Sequence, residues 1–140
     1  MALDGDKLAS GSVDTKINIW DLESKKVIKT LRSHTSTVRC LHFDVRGNTI
    51  ISGSEDKTIK VWDYENGKLL QTLRDHQGEI SCLQVDLKKN ALLTGSYDKT
   101  IKMWDLNTWK VVKTLKGHQN KIMCLQVSGK TTFSWNNFLR

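Results

Sequence analysis

The chain has 140 residues, of which 38% are hydrophobic and 26% charged, and 22 Lys and Arg against 15 Asp and Glu leave a net charge of +7. It contains no proline, which excludes a Pro-rich linker or polyproline ligand, and no apolar run exceeds the four residues 122–125, too short for a membrane span or a signal-peptide core. The basic balance permits acidic or nucleic-acid partners without requiring one.

The informative feature is a fixed step. Cys40, Cys82 and Cys124 stand 42 residues apart, and the same step carries Trp20, Trp62 and Trp104, the aspartates that follow them, and His34, His76 and His118. Residues 32–73 and 74–115 align without a gap at 18 identities in 42 positions. A period near 40 residues marks a repeat architecture.

In chain order, the first unit begins at about Lys7 and is expected to lack its innermost strand. The next unit reads as four strands: Val38–Phe43, Thr49–Ser54, Thr58–Trp62 and Lys68–Leu73, with turn signals at Arg46-Gly47-Asn48, Glu55-Asp56-Lys57 and Glu65-Asn66-Gly67. The third unit repeats this pattern. A fourth supplies only Lys121–Val127, after which the step fails: Trp135-Asn136 is out of register by eleven residues. The expected divisions are therefore 1–31 (an incomplete sheet), 32–73, 74–115, 116–129 (one strand) and a non-repeat tail, 130–140. Such small antiparallel sheets cannot bury both faces alone and should stack on one another.

The segments SGSVDTKINIWD (10–21), SGSEDKTIKVWD (52–63) and TGSYDKTIKMWD (94–105), with a histidine 28 residues before each of the later two tryptophans, resemble the WD40 repeat β-propellers over about residues 5–127. The Gly-His dipeptide of that family survives only at Gly117-His118; Ser33-His34 and Asp75-His76 depart from it. The resemblance implies an all-β, partial propeller of about three blade equivalents, fewer than the four to eight blades that close a ring. It also implies a hydrogen-bonded chain from Trp through Ser or Thr and His to the turn Asp: His34, Ser52, Asp56 and Trp62 in one blade, His76, Thr94, Asp98 and Trp104 in the next. Ser10, Asp14 and Trp20 are the members carried by the first blade, and His118 the one carried by the last. A Ser-His-Asp set that recurs once per repeat reads as structure and not as catalysis, so no catalytic, cofactor or metal residues are expected.

Partners of the family commonly meet the narrower propeller face, through the residues three and five after the histidine and the one before the turn aspartate. Here these are Thr37, Arg39, Glu79, Ser81, Lys121 and Met123, with Val13, Glu55 and Tyr97. The resemblance thus implies a non-enzymatic, intracellular (cytoplasmic or nuclear) interaction scaffold for proteins or peptides, without membrane or nucleic-acid partners. The repeats look most like those of F-box/WD-repeat substrate receptors of ubiquitin ligases, although the chain carries no F-box. With about three blades, the chain is expected to be a fragment of a larger propeller. The alternatives are an inert or dominant-negative truncation product, or a homodimer closed by strand exchange. The three cysteines, on the innermost strands, are expected to pack in the core; His42, and the third-strand lysines Lys57, Lys60, Lys99 and Lys102, are expected at the surface.

Overall fold

A computed structural model of the chain describes residues 1–44 and 46–127. The described residues form three four-stranded antiparallel sheets, each in chain order. The first holds β1 (Ala2–Asp4), β2 (Lys7–Gly11), β3 (Lys16–Asp21) and β4 (Lys26–Arg32). The second holds β5 (Val38–Asp44), β6 (Thr49–Ser54), β7 (Ile59–Asp63) and β8 (Leu69–Leu73), and the third β9 (Ile80–Asp86), β10 (Ala91–Ser96), β11 (Ile101–Asp105) and β12 (Val111–Leu115). A single 3-10 turn, Leu87–Lys89, interrupts the β9 to β10 connection.

Strand alternation explains the stacking, because successive residues face opposite sides of a sheet. On β6, Ile50 joins a cluster with Ala9, Ile17, Ile19 and Leu31 of the first sheet and Val38 of β5. Its neighbour Ile51 joins Ile80, Leu92 and Trp104 of the third. The two clusters are copies: the 42-residue step carries Ile17, Ile19, Leu31 and Trp62 onto Ile59, Val61, Leu73 and Trp104. Turn geometry is copied as well, since Thr15, Lys57 and Lys99 all take left-handed φ values of 71°, 68° and 71°.

Two boundaries differ from the sequence expectation. The first sheet is not missing its innermost strand: Ala2–Asp4 pairs with Lys7–Ala9 through the two-residue turn Gly5-Asp6, with Gly5 at φ 60°. Three residues are too few to display a period, so the sequence pattern did not reveal them. Conversely, residues 121–127 form no strand, and among the described residues they have no ladder neighbour. They are held by Ile122 N–H donating to Ser96 O at 3.1 Å and Val127 N–H donating to the Gln84 Oε1 at 3.0 Å. The expected tail, 130–140, and residues 128–129 lie outside the described residues.

Three surface assignments also change. Lys60 and Lys102 are buried, their stems laid along the sheet and their ammonium groups donating to Thr72 and Thr114 at 3.2 Å. Lys57 and Lys99 are exposed, as expected. His42 is half-buried, with its Nε2 enclosed. Among the cysteines, Cys40 and Cys82 are half-buried, whereas Cys124 is exposed because it belongs to the unpaired segment.

Candidate functional site

Asp56 organises one end of the second sheet. Between β6 and β7 its Oδ1 accepts from Thr58 N–H at 2.9 Å and from the Thr58 hydroxyl at 2.6 Å, closing the turn. Its Oδ2 faces the loop before β5, accepting from Thr35 N–H at 3.1 Å and from His34 Nδ1 at 2.7 Å. The other ring nitrogen, Nε2, lies 2.7 Å from Ser52 Oγ, and Ser52 Oγ accepts from Trp62 Nε1 at 2.9 Å.

The polarity of this chain follows from its ends. Indole can only donate and an ionised carboxylate can only accept, so Nδ1 carries the proton that points at Asp56; in the neutral ring Nε2 is then the acceptor for the Ser52 hydroxyl. Burial pushes His34 and His76 below their ordinary values, outweighing the pull of Asp56 and Asp98. Desolvation acts to raise both carboxyls, but the donors around them win: Asp98 falls to about 2, and Asp56 is lowered too. The third sheet repeats the arrangement, with His76 2.7 Å from Asp98 and 2.8 Å from Thr94, and Trp104 2.9 Å from Thr94. Ser52 and Thr94 are fully buried with their hydroxyls engaged on both sides, which leaves no reachable nucleophile in either set.

The first sheet keeps only half of this chain. Trp20 Nε1 donates to Ser10 Oγ at 2.8 Å, but Asp14 is exposed and accepts only from Lys16 and Ser12 nearby. The 42-residue step puts the matching histidine position before residue 1, and among the described residues no imidazole links Ser10 to Asp14. His118 is exposed, and the partners that the step assigns to it lie beyond the described residues.

The nine positions marked for partner contact fall in the β2–β3, β6–β7 and β10–β11 turns (Val13, Glu55, Tyr97), at or just before the starts of β5 and β9 (Thr37, Arg39, Glu79, Ser81), and in the segment after β12 (Lys121, Met123). Several of them are paired with one another. Arg39 forms an ion pair with Glu55, whose N–H donates to Thr37 O at 3.0 Å. The Thr37 side chain, then the Arg39 guanidinium, hold the Glu55 carboxyl below its usual range. Lys121 lies over the Tyr97 ring at 4.6 Å, and Tyr97 N–H donates to Glu79 O at 2.9 Å. Val13 and Met123 are the open apolar members, 77% and 58% exposed. Ser81 departs from the expectation: its hydroxyl donates to Ile122 O at 2.5 Å, so it fastens the next segment and does not face outward. The pairings were not readable in advance, because they depend on which rotamers reach across a turn.

Stacked four-stranded antiparallel sheets, the second and third each clipped by a Trp-Ser/Thr-His-Asp chain, define blades of a repeat-built β-propeller. The family model "WD domain, G-beta repeat" matches residues 2–21, 25–63, 67–105 and 109–139, and the chain belongs to the WD40 family. The last match continues through Trp135-Asn136, further than the strict 42-residue step carries the pattern. Among curated proteins, the chain is 50% identical over 38 residues to the CCR4-associated factor 4 homolog of Vanderwaltozyma polyspora, and 41% identical over 44 residues to the WD repeat-containing protein pop1 of Schizosaccharomyces pombe. These stretches are 27% and 31% of this chain and 6% of each relative, so the chain spans a small part of their length. WD40 repeat proteins are generally non-enzymatic scaffolds that bind other proteins.

Proposed function

We propose that the chain displays a protein- or peptide-binding surface at the His-Asp end of its sheets, built from Thr37, Arg39, Glu55, Glu79, Tyr97, Lys121, Val13 and Met123. One observation carries the reading: at positions where the scaffold is copied, the side chains are not. Glu55 stands where the neighbouring sheets have Val13 and Tyr97, and Thr37 where the third sheet has Glu79 and the segment after it Lys121, while the turn aspartates and histidines beneath them in the second and third sheets hold the same hydrogen bonds. Loops fixed by a rigid sheet are where recognition residues are free to differ.

Arg39 and Tyr97 are residue types that dominate binding energies, and both sit on supported side chains. A phosphate-reading cluster is not favoured, since Arg39 is satisfied by Glu55 and Lys121 lies on Tyr97; the ubiquitin-receptor resemblance therefore adds nothing to the assignment. The test is selection of a displayed random-peptide library on the immobilised 140-residue chain, followed by titration of a selected peptide. Arg39→Ala, Tyr97→Ala and Lys121→Ala combined should weaken that peptide at least tenfold with the fold intact. Equal affinity for the triple variant would remove the surface.

A further inference from the structure

The opposite end of the sheets holds a second feature. A cavity of about 230 Å³ lies between the second and third sheets, with His42, Asp44 and Thr49 on one side and Val85, Leu106 and Trp109 on the other. It reaches the surface beside Leu87, which is 63% exposed.

The repeat itself explains why the space is there. The 42-residue step carries Phe43 and Tyr64 onto Val85 and Leu106. Between the first and second sheets, the Phe43 and Tyr64 rings pack at 5.1 Å, and Lys29 closes over Tyr64, its ammonium 2.6 Å from the carbonyls of Tyr64 and Glu65. That gap is filled. Between the second and third sheets two aromatic rings are replaced by aliphatic side chains; the Trp109 indole packs with Val85 and Leu106 against the core, and the space these three leave is the cavity. A cavity of roughly 150 Å³ already admits a benzene ring, so this one takes a substituted ring.

Two further departures from the repeat converge on the same space. His42 occupies the place of Gln84, whose amide oxygen accepts from Val127 N–H; the buried His42 Nε2 has no hydrogen-bond partner. A buried polar nitrogen left unmatched calls for a ligand group. Burial keeps the imidazole neutral by lowering its pKa, so it exchanges one hydrogen bond with a neutral partner. Trp109 takes a left-handed φ of 55° at the position where the second sheet has Gly67 at 66°. The turn geometry is copied, since Lys25 takes 57° at the same place in the first sheet; what departs is the indole, which lines the cavity where Gly67 has no side chain. The Asp44 carboxylate beside the cavity opposes an anionic occupant.

We propose that this cavity receives the side chain of a tyrosine from a partner protein, the ring standing in for the missing Phe-Tyr pair and the phenol hydroxyl hydrogen-bonding to His42 Nε2. The proposal rests on the reading of the chain as a protein-interaction segment and adds a contact surface at the other end of the same sheets.

The test uses N-acetyl-tyrosinamide as probe, with N-acetyl-phenylalaninamide, its phosphotyrosine counterpart and free p-cresol as comparators, titrated into the full 140-residue chain and followed by NMR of the His42 ring nitrogens and the Trp109 indole. Saturable shifts at both residues are expected, with tyrosinamide preferred to phenylalaninamide by about threefold to tenfold, the ratio one neutral hydrogen bond supplies. The phosphorylated probe should not bind. Val85→Phe with Leu106→Tyr, which rebuilds the filled gap, should abolish binding and keep a dispersed spectrum; His42→Leu should erase the preference between the two amides. The proposal is overturned if the shifts do not saturate, if the filled variant binds equally, if the phosphorylated probe binds best, or if p-cresol binds and the amide does not. Each of these failures leaves the surface at the His-Asp end to be judged on its own peptide titration.

Discussion

The backbone N–H of Gln77 donates to the Asp98 carboxylate at 3.0 Å, across 21 residues of sequence. With the His76 ring on the same oxygen, this contact binds the loop entering the third sheet to a turn two strands later. Asp98→Ala leaves the His76 Nδ1–H, the Gln77 N–H and the Thr100 N–H without their acceptor. Each partly buried donor left unmatched costs about 1–3 kcal/mol, and refilling by water reduces the total. A loss of about 2–4 kcal/mol in urea denaturation is expected, with Asp56→Ala comparable; a loss below 0.5 kcal/mol for either would show that the clip is ornamental.

Acid should weaken the fold earlier than carboxylate titration alone would. The native pKa of His34 and His76 lies below the ordinary value of 6.5. Below 6.5 the unfolded chain therefore binds protons that the native chain refuses, and stability falls with pH. Above 6.5 neither state is protonated at these rings and their contribution is constant. Asp56 and Asp98 add a second loss at lower pH, which begins near the ordinary value of 3.8 and for Asp98 ends at about 2. The urea midpoint should be flat from pH 8 to 7 and decline from 6.5 to 5; a midpoint that rises over that interval would contradict the neutral assignment.

Glycine is required where the sheets approach one another. A Cβ at Gly53 would sit 2.6 Å from both Cys40 Sγ and Ile80 Cγ2, and one at Gly95 would sit 2.6 Å from Cys82 Sγ and 2.8 Å from Ile122 Cγ2. Gly53→Ala should cost about 1–3 kcal/mol as an overpacked contact. Gly117→Ala, which meets nothing within 4 Å, should stay within about 0.5 kcal/mol. Thermal melts of the two variants side by side check the contrast.

The thiols should separate in reactivity. Burial pushes Cys40 up to about 12 and raises Cys82, while Cys124 is exposed. Maleimide at pH 7 should label Cys124 rapidly and the other two only on unfolding. Uniform fast labelling of all three would mean that the inner strands open readily.

Much of this architecture was legible because repetition is read from identity and not from geometry. The step of 42 residues aligned the Trp, His and Asp positions, the WD40 resemblance implied that they are linked through a Ser or Thr, and alternation located eight strands of the second and third sheets to within one residue. What escaped depends on single side chains. Lys60 and Lys102 alternate as polar residues should, yet their methylene stems are long enough to be buried while the ammonium reaches a threonine. His42 sits at a polar phase of β5, but the shape of the adjoining gap, set by Val85 and Leu106, encloses it. Thr15, Lys57 and Lys99 take left-handed backbone conformations that residue type does not announce, because the Asp-centred turn imposes them.

The glycines at the step also set a spacing. At Gly11 and Gly53 the next sheet's inner strand comes so near that a methyl group would not fit between them. At the far end of the first gap the Phe43 and Tyr64 rings of the second sheet pack on each other, with the Lys29 ammonium of the first sheet over Tyr64. Any side chain larger than hydrogen at position 11 or 53 would have to push the neighbouring strand away, so the glycines fix the closest distance at which these sheets can stack.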